Sequence, residues 1–292
     1  MSALRARLFI ILQHVLPRYA LTAAVYRLAR IRTIWFKNAM IRGFVRLYRV
    51  DVGEVAGKVP DDFSCFNDFF TRELKHEARV IDGARRSVIA PVDGTVSAAG
   101  GIEHNRLLQA KGCDYTLEEL LASDVDDARL YHDGTFITIY LAPHNYHRVH
   151  APWSGTLTAA RYVPGDLYSV NDATVQRIPK LFTRNERLVC HFTTDAGPMI
   201  LVLVGALNVG SITTPWTGEI RPRRRGVVEE LDVQRSDHGR QVMTGELAGW
   251  FNMGSTVVML MPPGACTLRD GLGGGTEVVM GEVVATLKGL SL

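Results

Sequence analysis

Three segments that lie far apart in the chain combine reactive side chains with turns or strand ends. Asp93 lies in a turn bounded by Pro and Gly, His147 and His150 are three residues apart, and Ser255 follows Gly254 where an apolar run begins. A serine hydroxyl becomes a nucleophile when a base takes its proton, and imidazole has an unperturbed pKa near neutrality. If the fold brings these segments together, they could support nucleophilic and acid–base chemistry.

Each segment also has a plainer interpretation. An Asp in such a turn often bonds only its own backbone, and a lone histidine is often a structural residue. The Gly-Ser pair occurs a second time, as Gly210-Ser211, to which we assign no chemistry. Histidines 144, 147 and 150 could place metal ligands on one helical face, but the flanking prolines disfavour a long helix there, so we expect no metal.

Taken together, the three segments resemble the signatures of one family, the self-processing, pyruvoyl-dependent phosphatidylserine decarboxylases of prokaryotic type. The sequence Met253-Gly254-Ser255-Thr256 is similar to that family's Leu-Gly-Ser-Thr signature, and the exchange of Leu for Met conserves volume. Tyr146 to Pro152 matches the Tyr-His-Arg-x-His-x-Pro motif, and Asp93 lies in a stretch like the Pro-x-Asp-Gly motif. Asn145 stands where the family often has Asp, a position to which we give no role.

The resemblance continues, in the same order, over roughly residues 5 to 287, far more than one short motif. Further matching stretches are Phe66 to Phe70, Gln109 to Gly112, Val163 to Asn171, Asn185 to Arg187 and Val204 to Ala206.

The resemblance implies that the chain cuts itself between Gly254 and Ser255. The Ser255 hydroxyl would attack the Gly254 carbonyl, an N-to-O acyl shift that glycine, without a side chain, does not obstruct. The family assigns the base to His150, oriented by Asp93, which follows the logic of a catalytic triad. Elimination from the resulting ester would leave dehydroalanine, which loses ammonia and becomes a pyruvoyl group at position 255.

The same resemblance implies a cofactor, a pocket and partners. The cofactor would be pyruvate, held covalently, whose ketone condenses with the substrate amine and withdraws electrons as carbon dioxide leaves. His147 is the candidate to protonate the resulting carbanion, with Tyr140 and Ser169 as pocket neighbours. The implied partners are phosphatidylserine in an anionic membrane and the chain's own two pieces, 1–254 (beta) and 255–292 (alpha), a heterodimer that could dimerise further.

The elements that must position these residues predict an α+β fold with N-terminal amphipathic helices and a β-rich, barrel- or sandwich-like catalytic core. We divide the chain into a basic helical region, 1–62, and a core, 63–292. Apolar residues at helical spacing predict helices at Leu4 to Val15, Leu21 to Leu28 and Ile34 to Tyr48, and Thr116 is expected to cap a short helix up to Leu121. Strands are predicted at Val88–Val96, Phe136–Leu141, Gly155–Val163, Leu188–Phe192, Met199–Val204, Val257–Met261 and Glu277–Leu287.

Charge is distributed unevenly along the chain. Residues 1–50 contain ten of the 33 Lys and Arg residues and none of the 30 Asp and Glu residues. Because these cations alternate with apolar residues, they favour an anionic lipid surface over nucleic acid, and we expect no nucleic-acid partner. The longest uncharged stretch of this leader is too short to span a bilayer. With four scattered cysteines and no CxxC pair, these features predict a peripheral protein on the cytoplasmic face of the inner membrane.

Two alternatives remain open from the sequence. One is a pyruvoyl-dependent decarboxylase of a soluble amino acid, although a soluble substrate would not require the basic amphipathic leader. The other is a lipid-binding protein at the membrane surface without catalysis, although Asp93, His147, His150 and Ser255 are all present. The absence of a G-x-S-x-G sequence disfavours a serine hydrolase.

Overall fold

Helices lead into a core of antiparallel sheets in the computed structural model, which describes residues 13–82, 86–110, 113–123, 125–224, 226–234 and 239–288. The predicted helix from Leu4 to Val15 lies outside the described residues except for its last three, which are helical. The helices are α1 (Arg18–Ala29), α2 (Ile34–Tyr48), α3 (Phe66–Phe70), α4 (Leu117–Leu121), α5 (Val125–Arg129), α6 (Asp172–Val175) and α7 (Leu181–Arg184), with a 3-10 turn at His76–Ala78.

The strands are β1 (Ser87–Ile89), β2 (Gly94–Gly101), β3 (Arg106–Ala110), β4 (Cys113–Thr116), β5 (Thr135–Leu141), β6 (Arg148–His150), β7 (Gly155–Val163), β8 (Arg187–Thr194), β9 (Gly197–Val204), β10 (Ile212–Thr214), β11 (Gly218–Ile220), β12 (Glu229–Leu231), β13 (Gln241–Val242), β14 (Leu247–Phe251), β15 (Ser255–Met261), β16 (Cys266–Leu268), β17 (Glu277–Val278) and β18 (Val283–Leu287). The predicted α+β class, with helices before a β-rich core, is confirmed.

The largest sheet has the strand order β12-β7-β8-β9-β15-β5-β2-β17, and β13 also pairs with β7. Smaller sheets have the orders β11-β10-β14-β6, β1-β18-β16 and β3-β4. The large sheet is open, with β12 and β17 at its ends, so the core is not closed into a barrel. Strand β15 runs antiparallel to both of its neighbours, β5 and β9, and every one of its residues is buried.

The helical region has a small apolar core of its own. Ile41 on α2 and Ala29 at the end of α1 pack with Phe66, Phe69 and Phe70 of α3. Met253, which precedes the Gly254–Ser255 bond, packs against this small core. The cluster therefore joins residues from both sides of position 62, where we placed the domain boundary, and connects the helices to the loop before β15.

The small core accounts for only one face of α2. Lys37 and Ile41 are buried, and the Lys37 ammonium donates to the carbonyl of Pro60 at 3.0 Å. Ile34, Trp35 and Leu47 are 70%, 73% and 74% exposed. No helix in the described parts of the chain is long and apolar enough to cross a membrane.

A buried carboxyl group gives the core a pH-dependent stability. Glu186 is fully buried, accepts a hydrogen bond from the Tyr162 hydroxyl at 2.9 Å, and burial raises its pKa from 4.5 to about 8. Between these two values the folded chain keeps a proton that the unfolded chain releases, so stability must fall as pH rises through this window. We expect Glu186→Gln to flatten this fall when urea unfolding is compared at pH 5.5 and 8.5, whereas the exposed control Glu103→Gln should not.

Candidate active site

Ser255 is placed at the centre of the large sheet by the pairing of its strand. It is the first residue of β15 and lies opposite Leu141 of β5. The side chain is fully buried, and its Oγ has no hydrogen-bond partner among the described residues. A buried hydroxyl without a partner normally costs free energy, and such costs are often found where a side chain is kept free for chemistry.

Gly254 opens onto a cavity of about 260 Å³ beneath helix α2. The cavity is lined by Tyr140 of β5 and by Ser169, the two pocket neighbours that we expected, and by Phe44 and Tyr48 of α2. Burial raises the pKa of Tyr140, so its phenol stays protonated and can donate a hydrogen bond. Gly254, the two expected pocket residues and helix α2 therefore meet at one cavity.

His147 is the imidazole that the structure brings to this bond. A Cβ atom built on Gly254 would lie 3.9 Å from His147 Nε2. The Nδ1 atom bonds the carbonyl oxygen of Asn145 at 2.9 Å and must donate there, which leaves Nε2 as an acceptor. Nε2 is buried and has no partner among the residues that the structure describes.

Burial, together with the smaller effect of the Arg72 charge, lowers the pKa of His147 to about 3. The ring of Phe70 packs against the imidazole with the ring centroids 4.2 Å apart. His147 is therefore neutral at physiological pH, and any proton that it passes on must first be taken from a reacting group.

His150 faces a different part of the molecule. Its Nδ1 donates to the carbonyl oxygen of Gly245 at 2.7 Å, and its Nε2 accepts from the Tyr146 hydroxyl at 2.9 Å. His150 and Tyr146 line a second cavity with Arg79. Burial lowers the pKa of His150, while the Gly245 carbonyl and the charge of Asp93 oppose that shift. Both ring nitrogens are occupied, and neither is hydrogen-bonded to Ser255 Oγ.

Asp93 is bound by Arg79 rather than by His150. The guanidinium donates to both carboxylate oxygens, at 3.0 Å from Nε and 2.5 Å from Nη2, and the Met280 N–H donates to Oδ1 at 2.9 Å. Asp93 influences His150 through its charge, without a hydrogen bond. The expected order Asp93–His150–Ser255 is thus not connected by hydrogen bonds in this structure.

Two residues near His147 were missed as site residues. Phe70 belongs to a stretch that we noted only for its resemblance. Arg72 is buried, donates to the carbonyl oxygen of His144 at 3.0 Å and lies within 3.4 Å of the Asn145 carbonyl that also accepts from His147. Its signal was available, because an Arg two residues beyond the end of an apolar helix is well placed to bond the carbonyls of a neighbouring turn.

The comparison with known proteins places this chain in a class of lyases. The family model described as phosphatidylserine decarboxylase matches residues 66–286, and a second model, described as PSD, matches residues 8–49. The chain belongs to the phosphatidylserine decarboxylase family and is an enzyme of the carboxy-lyase class.

Individual relatives cover nearly the whole chain and are named as precursors. The phosphatidylserine decarboxylase proenzyme of Methylococcus capsulatus is 46% identical over 281 residues, which are 96% of this chain and 97% of the relative. The proenzyme of Idiomarina loihiensis is 44% identical over 280 residues, 96% of each chain. That of Pseudomonas aeruginosa is 44% identical over 286 residues, 97% of this chain and 98% of the relative.

Proposed function

We propose that this enzyme decarboxylates phosphatidylserine to phosphatidylethanolamine with a pyruvoyl group that it makes from its own Ser255. The observation that carries this proposal is the buried Ser255 Oγ, which has no hydrogen-bond partner among the described residues. It follows a glycine that opens onto a cavity and lies beside His147 Nε2. These residues fit the group, since a hydroxyl free of other bonds and a nearby proton acceptor are what its formation needs.

Self-cleavage and formation of the pyruvoyl group would proceed in three steps. Ser255 Oγ attacks the carbonyl carbon of Gly254, the peptide C–N bond breaks, and the nitrogen takes up a proton. Loss of the Ser255 Cα proton then breaks the Cβ–Oγ bond, so Gly254 leaves as a carboxylate and dehydroalanine remains. Water then displaces the nitrogen, which leaves as ammonia, and the pyruvoyl group is complete. Once formed, this group would supply a carbonyl that takes up electrons from the substrate as carbon dioxide leaves.

The division of work between the two histidines remains a proposal. The family resemblance assigns the cleavage base to His150 with Asp93, and the transfer of a proton to the substrate carbon to His147. For His150 to act as the base, its Nε2 must first release the hydrogen bond from the Tyr146 hydroxyl, because Nδ1 carries the proton that is donated to Gly245. His147 needs no such change to act at the cavity, where Tyr140 and Ser169 would contact the substrate.

The two chains, 1–254 and 255–292, would remain together after cleavage. Strand β15 stays between β5 and β9 of the larger chain, and β18 of the smaller chain pairs with β1. Because these ladders bury apolar residues on a central strand, we expect the two chains to separate only in denaturant. The larger chain would carry the helical region 1–62 as its membrane-associating part.

The test of the function is a comparison of substrates. Purified enzyme should convert phosphatidylserine in vesicles to phosphatidylethanolamine, followed by chromatography of the lipids. Free serine and phosphoserine should be poor substrates, because the cavity lies beneath a helix that would contact lipid. Release of carbon dioxide from free serine, with none from the vesicles, would favour the decarboxylase of a soluble amino acid instead.

We propose further that the enzyme binds the cytoplasmic face of the inner membrane through its helical region. Ile34, Trp35 and Leu47 are exposed apolar residues at the surface of α2, within a region rich in arginine. Burying such side chains in lipid is worth about 1.5–3 kcal/mol each. Phe44 and Tyr48 of the same helix line the cavity at Gly254, so lipid bound at this surface would lie close to the site.

Replacement of the exposed apolar residues should weaken membrane binding. We expect the triple variant Ile34→Ser, Trp35→Ser, Leu47→Ser to bind anionic vesicles at least about tenfold more weakly in a flotation assay. The control is Val227→Ser, which changes an apolar residue that is 84% exposed but lies outside the helices. Equal binding by the triple variant and the control would contradict this membrane surface.

A further inference from the structure

Asn252, three residues before Ser255, is held by hydrogen bonds from two distant parts of the chain. Its buried Nδ2 donates to Ser211 Oγ at 2.7 Å and to Thr213 Oγ1 at 3.1 Å. Its Oδ1 accepts from Asn67 Nδ2 at 2.8 Å. The backbone N–H of Asn252 donates to the carbonyl oxygen of Ser211 at 3.1 Å. These bonds use both the donor and the acceptor of the side-chain amide, so the residue has one preferred position.

The two sides that hold Asn252 are themselves anchored. Ser211 belongs to the second Gly-Ser pair of the sequence, and its Oγ donates to Glu219 at 2.5 Å. Glu219 in turn accepts from Arg30, directly after α1, at 2.9 Å. Asn67 lies on α3, the helix that also places Phe70 against His147. Asn252 is thus fixed between the β10–β14 pairing and the helix that supports His147.

Only Met253 and Gly254 separate this fixed residue from Ser255. Asn252 and Met253 form a bend between β14 and β15, and both strands are held in sheets. The position of the Asn252 backbone therefore sets how the Gly254 carbonyl is presented to Ser255 Oγ. Attack on a carbonyl depends steeply on geometry, and a misplacement of about 1 Å can cost about a hundredfold in rate.

We infer that Asn252 is a positioning residue for self-cleavage, and that Asn67 and Ser211 act through it. The second Gly-Ser pair, which has no chemistry of its own, then serves to hold the first in the geometry for acyl transfer. This inference rests on the proposed function, since it concerns the cleavage of the Gly254–Ser255 bond.

The experiment measures how fast newly made precursor is cut, by gel electrophoresis after cell-free synthesis. Asn252→Ala should slow cleavage by about a hundredfold while the circular dichroism spectrum stays that of the folded protein. Asn67→Ala should slow it less, and the double variant should be no slower than Asn252→Ala alone, because both changes remove one interaction. If Asn252→Ala does not fold, the cleavage rate of folded Asn67→Ala, which leaves the loop sequence unchanged, still tests the inference.

The matched control is Gln109→Ala. Gln109 is a buried amide that also makes three hydrogen bonds, to Val175 O, to Ile178 O and from Leu181 N. Gln109→Ala should lower the melting temperature by about as much as Asn252→Ala does. Its cleavage rate should stay within about twofold of that of the unchanged chain. Cleavage of folded Asn252→Ala or Asn67→Ala at the rate of the unchanged chain, or equal slowing by Gln109→Ala, would overturn the positioning role. Failure of the unchanged chain to cut at all would instead overturn the proposed function.

Discussion

Ser255→Ala should give a full-length, folded and inactive protein. Without the hydroxyl there is no nucleophile for the acyl shift and no source of the pyruvoyl group, so we expect processing to be undetectable and decarboxylation to be lost entirely. The fold should not suffer, because the Ser255 hydroxyl is buried without a partner among the described residues and its removal breaks no hydrogen bond. Gel electrophoresis, a melting curve and a decarboxylation assay together measure these three properties.

The control for this variant is Ser87→Ala, which removes a buried hydroxyl from another strand, β1. It should be cut into two chains at the normal rate. If Ser255→Ala were cut between positions 254 and 255, or if it decarboxylated the lipid, the hydroxyl of Ser255 would not be the source of the reactive group.

His147→Ala and His150→Ala should fail at different stages. Loss of an acid–base group typically costs about 10²- to 10⁴-fold in rate. We expect His150→Ala to remain uncut, because the base for the acyl shift is missing. We expect His147→Ala to be cut to some extent but to decarboxylate about 10²- to 10⁴-fold more slowly. The fraction cut is read by gel, and the decarboxylation rate is then divided by the amount of cut enzyme.

The positions of the two rings alone would not lead to this prediction. His147 Nε2 lies beside Gly254, whereas the His150 ring is bonded to Tyr146 and Gly245. His104→Ala, a change at an exposed histidine in the turn before β3, is a control that should alter neither stage. An uncut His147→Ala together with a normally cut His150→Ala would show that the base for cleavage is the imidazole already beside the bond. Identical behaviour of the two variants would remove the division of roles.

The opposite placement of the two histidines follows from their spacing. Side chains alternate along an extended chain, so residues three positions apart point to opposite faces. His150 lies in β6 and lines a cavity with Tyr146, whereas His147 directly precedes the strand and lies beside Gly254. The flanking prolines disfavoured a long helix in this segment, but the separation of the two rings was not predicted from the sequence. The identity of their partners, such as Tyr146 and Arg72, depended on tertiary contacts that no local pattern encodes.

The strands were likewise predicted only in part. The predicted strand Gly155–Val163 agrees with β7 at both ends. The Thr116 cap of α4 is present, and the Thr116 N–H in return donates to the Glu119 carboxylate. The predicted strand Val88–Val96 is instead divided into β1 and β2 by the turn that carries Asp93. The predicted strand Glu277–Leu287 is divided by a turn at Gly281, whose φ of +94° suits glycine. Apolar content identified these segments, but the turns within them decide which way Asp93 points.

The role of Asn252 could not have been predicted from its neighbours. Its partners are Asn67 and Ser211, which are 185 and 41 positions away in the chain. A single Asn between two strands usually indicates only a turn. No local pattern connects the two Gly-Ser pairs, which are brought together by the pairing of β10 with β14.

Intact mass measurement of the purified enzyme tests the central claim most directly. We expect two chains, the smaller of which begins at position 255 and is lighter than its encoded mass by one ammonia. Mild reduction should then add hydrogen to the ketone of the smaller chain and abolish activity. A single uncut chain in a preparation that decarboxylates phosphatidylserine would contradict the account, and so would a smaller chain that begins with an unmodified serine.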